Sequence, residues 1–146
     1  MIARPAADEH SEILNVLSAY GLPLGEAFQL RDDMLGIFGN PDTTGKPAGD
    51  DLREGKRTVL MAMTMEKASD SARAELSAHL GKPDLSPEKI ESLRALIVET
   101  GAVADVEKLI DRLGEESVAA ATSAALHEGA RPFLLALAET AIRRSY

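Results

Sequence analysis

Apolar residues recur at helical spacing along almost the whole of this 146-residue chain, and breaks containing glycine and proline cut the pattern into helix-length segments. From about Glu12, the residues Ile13, Leu14, Val16, Leu17 and Tyr20 share one such repeat, after a small, polar lead-in from Met1 to Glu9. Pro23 then predicts a kink or a fresh helix start. The pattern resumes through Leu24, Phe28, Leu30, Met34 and Leu35 and stops at Gly39-Asn40-Pro41. Asp42 to Gly55 is polar and holds several glycines and Pro47, which predicts a loop long enough to carry function. The next helix is predicted from Arg57 to about Leu80, closed by Gly81-Lys82-Pro83. Ser86 followed by Pro87 reads as an N-cap with proline at the first helical position, opening a helix that ends at Gly101. Two more are predicted, at about Val103–Leu126 and Pro132–Arg143. Antiparallel helices joined by short connections make an all-α bundle, read here as one domain over residues 1–146.

Composition agrees with helices. Aromatic residues are 3% of the chain, while strands draw on aromatic and β-branched side chains. Cysteine is absent, so no disulfide staples the fold and no thiolate performs chemistry; a reducing compartment, most simply the cytoplasm, is expected. The formal charge of −8 argues against nucleic-acid binding, which rests on basic surface. No apolar run reaches the ~20 residues of a membrane span, and Met1 to Asp8 lacks the order of a signal peptide, so no integral membrane protein is expected. An acidic chain still binds an anionic substrate where metal ions bridge the two.

The stretch from Glu26 to Leu60 carries the chemistry. Asp32 and Asp33 sit near the end of an otherwise apolar helix, and neighbours on a helix point about 100° apart, so one faces a cavity while the other faces a partner. Gln29 lies three and four residues before them, on their side of the helix. Paired carboxylates with water suit Mg²⁺. Four cations follow within a short window, Lys46, Arg53, Lys56 and Arg57, in a chain that is otherwise acidic. Taken singly, each feature has a plain reading: a solvated acidic pair, a connecting loop, a basic helix start, and for Phe28 core packing. Their order and spacing together point to Mg²⁺ and a diphosphate held between carboxylates and lysine point charges. His10, His79 and His127 show no ligand spacing.

That order resembles the second aspartate-rich region of the trans-prenyl diphosphate synthases, the family of farnesyl and geranylgeranyl diphosphate synthases. The matching residues are Phe28-Gln29, Asp32-Asp33, Gly39-Asn40-Pro41, Gly45-Lys46, Gly49, Asp51-Leu52, Gly55-Lys56 and Thr58, with Thr100-Gly101-Ala102 further on. The likeness runs from about Glu12 to Arg144. It implies the C-terminal part of the isoprenoid synthase fold and a Mg²⁺-dependent prenyl transfer from an allylic diphosphate to isopentenyl diphosphate. By that resemblance Asp32 ligates Mg²⁺, with Asp33 a weaker ligand or a partner behind it. Lys46 and Lys56 contact the leaving diphosphate, Gln29 sits near the cation or orients Asp32, and Phe28 lines the pocket. Arg143 and Arg144 read as a solvated basic tail.

Two departures stand out. Gly36 occupies the place of the motif's third aspartate, and the family's first acidic motif has no counterpart in these 146 residues. Asp50-Asp51-Leu52-Arg53-Glu54 imitates such a motif but coincides with the glycine-rich loop. Little or no activity of the isolated polypeptide is therefore expected, together with self-association or pairing with a chain that supplies the other half. The alternative is a non-catalytic helical partner of a full-length synthase.

Overall fold

The structure, a computed structural model, describes residues 7–45, 47–123 and 125–143, with the side chains of residues 7–9 and 43 left aside. The described residues form eight α-helices and one 3₁₀ turn, and no strand. They are α1 (Ala7–Phe38), α2 (Pro41–Thr44), α3 (Asp50–Glu54), α4 (Val59–Lys67), α5 (Asp70–His79), α6 (Pro87–Glu99), α7 (Ala102–Ala121) and α8 (Arg131–Ile142). The all-α expectation is met, and no helix is long and apolar enough to cross a membrane.

Three boundaries differ from expectation. Pro23 starts no new helix: α1 runs through it for 32 residues. Proline withholds one N–H, a loss that a ladder of this length absorbs. The single helix expected from Arg57 to about Leu80 is two, because Ala68 is extended and Ser69 begins again as an N-cap, its hydroxyl accepting from the Ala72 N–H at 3.2 Å. The loop from Asp42 to Gly55 contains the short helices α2 and α3, separated by glycines in the left-handed region at Gly45 and Gly49. Helix α7 ends at Ala121, before the expected Leu126.

The described residues fall into two compact units, residues 7–28 with 109–143, and residues 29–108. In the first, Tyr20 and Leu24 pack with Ala121, Ala138 and Ala141, and the Tyr20 hydroxyl donates to the Leu134 carbonyl at 2.7 Å. Small alanines on α7 and α8 allow that close approach. The same unit leaves large apolar side chains in solvent, including Leu14, Leu22, Leu137 and Phe133, the last 79% exposed.

The second unit buries Met34 and Ile37 of α1, Leu52 of α3, Leu60 of α4, Leu76 of α5 and Ile97 of α6 completely. Burial of this order contributes about 1.5–3 kcal/mol per large aliphatic side chain. Arg31 of α1 donates to both carboxylate oxygens of Glu107 on α7 at 2.7 Å, a fork geometry that fixes angle as well as distance. The Arg94 Nε of α6 donates to the Ile37 carbonyl at 2.6 Å and so satisfies one of the last carbonyls of α1. Thr58 caps α4, accepting from the Met61 N–H at 3.2 Å, and is itself buried. Thr58→Ala is expected to cost about 1 kcal/mol, read as a lower denaturation midpoint.

Candidate metal and diphosphate site

The site is assembled within residues 29–108 from the end of α1 and the turn that follows α3. Helical spacing sets Gln29 and Asp33 one turn apart, and the Gln29 Nε2 donates to Asp33 Oδ1 at 3.0 Å. Asp33 is 5% exposed, so its carboxylate needs such partners. The second is Lys56, whose ammonium donates to the same Oδ1 at 3.0 Å and lies 3.3 Å from Asp51 Oδ2. Asp51, on α3, is 6% exposed. One ammonium thus bridges two buried carboxylates from segments 18 residues apart in sequence (51 − 33).

Glycine makes that turn. Gly55 has φ 66, and a Cβ built on it would come within 2.9 Å of the Gly81 Cα. The Lys56 N–H closes the turn on the Asp51 carbonyl at 3.0 Å, while Gly81 N–H binds the Leu52 carbonyl at 2.9 Å. Only glycine fits both the backbone angle and the contact.

The Asp33 hydrogen bond, with the charges of Asp51 and Asp33, holds the Lys56 pKa above the ordinary lysine value, against the opposing effect of burial. The stabilisation from this ammonium is therefore fully present at neutral pH and is lost only as pH rises beyond the usual lysine range.

Asp32 is half-buried and, among the described residues, makes no side-chain hydrogen bond or ion pair. It lies about 100° round the helix from Asp33, as its sequence position dictates. Among the predicted residues the structure brings together Gln29, Asp33 and Lys56. The Gln29 side chain is bonded to Asp33. Lys46 and Arg144 lie outside the described residues. Phe28 falls in the other unit and is 43% exposed, so it is no core residue. Arg53 turns away to the loop, donating to the Ala48 and Leu85 carbonyls. Arg143 pairs with Glu139 at 3.1 Å on the surface. Sequence reasoning passed over Asp51, whose only sequence signal was its fixed place after Gly49.

The donors suit magnesium in one particular way. Among the described residues no three acidic or histidine side chains converge as a metal cage. Mg²⁺ is commonly held by one or two carboxylates, with waters and substrate phosphate completing six hard-oxygen positions. Asp32 would offer such an oxygen, while the neighbouring Asp33 shares the Lys56 ammonium with Asp51.

The acidic pair, the glycine-flanked α3 turn and its lysine thus come together at the end of a long helix in an all-α protein. Residues 1–97 match the polyprenyl synthetase family, and the chain belongs to it. It is 39% identical over 102 residues to geranylfarnesyl diphosphate synthase of Aeropyrum pernix, covering 70% of this chain and 31% of that protein. It is 30% identical over 138 residues to geranylgeranyl diphosphate synthase of Mycobacterium tuberculosis, covering 94% and 38%. Among solved structures, geranylgeranyl pyrophosphate synthase from Corynebacterium glutamicum, complexed with isoprenyl diphosphate and magnesium, superposes with a TM-score of 0.87 at 43% identity, covering 92% of this chain and 38% of that one. The chain thus spans about a third of the length of the curated relatives it matches.

Proposed function

We propose that this chain supplies the C-terminal acidic motif and the diphosphate-binding lysines of a prenyl diphosphate synthase. The observation that carries the reading is the Lys56 ammonium held 3.0 Å from Asp33 and 3.3 Å from Asp51, beside a half-buried Asp32. Asp32 would hold Mg²⁺, with Asp33 behind it. When bound, Mg²⁺ supplies charge neutralisation for a leaving diphosphate. Lys56, and Lys46 by the same resemblance, would contact that diphosphate. The ammonium groups favour the charge that builds as the allylic C–O bond breaks and the electron pair leaves with oxygen. The double bond of isopentenyl diphosphate then forms the new C–C bond, and a proton is lost from the product cation. The substrates are an allylic diphosphate and isopentenyl diphosphate, and the setting is cytoplasmic isoprenoid biosynthesis.

These 146 residues carry one acidic motif of the two in the family pattern, so the polypeptide by itself holds at most part of the metal cluster. Incubated with Mg²⁺, isopentenyl diphosphate and an allylic diphosphate, it is expected to give little or no elongated product; robust elongation would refute this. The solvent-exposed Leu14, Leu22, Phe133 and Leu137 favour association, with a second copy or with a chain that supplies the missing half. A strictly monomeric species in sedimentation would contradict it. Gly36, in place of the third aspartate, favours the second reading, a non-catalytic helical partner of a full-length synthase. Diphosphate binding measured with and without Mg²⁺ separates the two, because a scaffold has no need of the ligand.

A further inference from the structure

Three consecutive residues of α1 leave the helix in three directions, and the outer two are tied down. Arg31, Asp32 and Asp33 step round the axis by about 100° each, so Arg31 and Asp33 flank Asp32 on its two sides. On one flank Arg31, whose side chain is 8% exposed, sets both arms of its guanidinium on the two carboxylate oxygens of Glu107 on α7, each at 2.7 Å. On the other flank Asp33 receives the Gln29 amide and the Lys56 ammonium, each at 3.0 Å. Asp32 stands between them, half-buried, with no side-chain hydrogen bond or ion pair among the described residues. Both flanking contacts lie within residues 29–108. A planar fork on two carboxylate oxygens fixes direction as well as distance, whereas a lysine acts as a point charge on a flexible stem.

We infer that Arg31, through its fork to Glu107, is a positioning residue that sets the rotation of α1 and so the direction in which Asp32 presents its carboxylate. This deepens the diphosphate-site reading above and rests on it. Lys56 alone does not fix that rotation. Its ammonium holds Asp33 from one side, and its side chain is 39% exposed on rotatable bonds, so the turn can roll about that contact. The fork to α7 supplies the opposing hold. The two ties leave the helix about 200° apart and allow the residue between them one orientation. The tolerance is small. A roll of about 10° carries an atom at the helix's outer radius, about 5–6 Å, through about 1 Å. Mg²⁺ demands near-ideal octahedral geometry, so a ligand displaced that far is largely lost to it.

The test is calorimetric binding of inorganic pyrophosphate in Mg²⁺, with chemical denaturation alongside to confirm that each variant is folded. Arg31→Lys keeps the charge and loses the fork; Glu107→Gln keeps the shape and loses the charge. Each is expected to weaken Mg²⁺-dependent pyrophosphate binding by about tenfold, the scale of losing a partner that orients a metal ligand. The two substitutions together are expected to bind within about threefold of either alone, because both break one contact. A roll of α1 matters to the metal only while the Asp32 carboxylate is present. In the Asp32→Asn background, Arg31→Lys and Glu107→Gln are therefore each expected to change binding by less than about twofold, whereas a general loosening of the fold would weaken it by the same factor in both backgrounds. Full affinity in both single variants, or an equal loss with and without the Asp32 carboxylate, would overturn the inference, and Mg²⁺-dependent binding by the unmodified chain would leave the functional reading standing. No Mg²⁺-dependent binding by the unmodified chain would overturn that reading, and the role given to Arg31 with it.

Discussion

Replacing Lys56 by methionine is expected to destabilise the protein by about 1–3 kcal/mol and to make its stability depend on divalent cations. Methionine keeps the length of the side chain and removes the charge. Asp33 and Asp51 are then left as buried carboxylates facing one another without the shared ammonium. Breaking a fully buried ion pair costs about 3–5 kcal/mol, and the Lys56 side chain is 39% exposed, so water screens part of that loss. Gln29 also continues to donate to Asp33. The more telling part is the cation dependence. Two carboxylates that have lost their ammonium form a hard-oxygen site, so Mg²⁺ should restore much of the lost stability in this variant. Denaturation in chelator and in excess Mg²⁺ measures it. The midpoint should shift upward with Mg²⁺ more for Lys56→Met than for the unmodified chain, and equal shifts would mean that Lys56 does not occupy a cation's place.

Leu52→Ala is expected to cost about 2–5 kcal/mol, the range for emptying a fully buried leucine site. The consequence is larger for the site than for an equivalent truncation elsewhere. Helix α3 has five residues, too few to hold itself together, so its place depends on burial of Leu52 and on the bond from Gly81 N–H to the Leu52 carbonyl. Asp51 precedes that leucine and Lys56 closes the same turn. Leu93, equally buried on the thirteen-residue α6, serves as the control. Both alanine variants should lose comparable stability in chemical denaturation, and Leu52→Ala should lose far more Mg²⁺-dependent pyrophosphate binding. Equal losses of binding would show that α3 is placed independently of its leucine.

The helical architecture was legible because its signals are local. Ser86-Pro87 opened α6 as expected, with the Ser86 hydroxyl accepting from the Lys89 N–H at 3.3 Å. Thr100-Gly101-Ala102 marked the α6–α7 junction for a visible reason. Gly101 has φ 79, and the Thr100 hydroxyl donates to the Ile97 carbonyl at 2.7 Å while accepting from the Ala102 N–H at 3.2 Å. The break at Ala68–Ser69 was hidden because the apolar repeat continues across it, and a single serine hydroxyl decides the cap. In the site, the Gln29–Asp33 pair follows from spacing along one helix, although spacing alone left Asp32 and Asp33 both within reach. Asp51 was illegible for a different reason. Its place beside Lys56 depends on how the turn after α3 closes, with the Lys56 N–H on the Asp51 carbonyl and the Lys56 ammonium 3.3 Å from its carboxylate. No periodicity records a contact of that kind; only the match of Asp51 to its place after Gly49 marked it.

Calorimetric titration of inorganic pyrophosphate into the 146-residue chain, with Mg²⁺ and then with chelator, tests the central claim most directly, with Asp32→Asn alongside. The chain should bind pyrophosphate only when Mg²⁺ is present, and Asp32→Asn should weaken that binding by about tenfold to a hundredfold while leaving the unfolding midpoint nearly unchanged. Binding that is indifferent to Mg²⁺, or unaltered in Asp32→Asn, would contradict a site in which carboxylate, metal and ammonium act together.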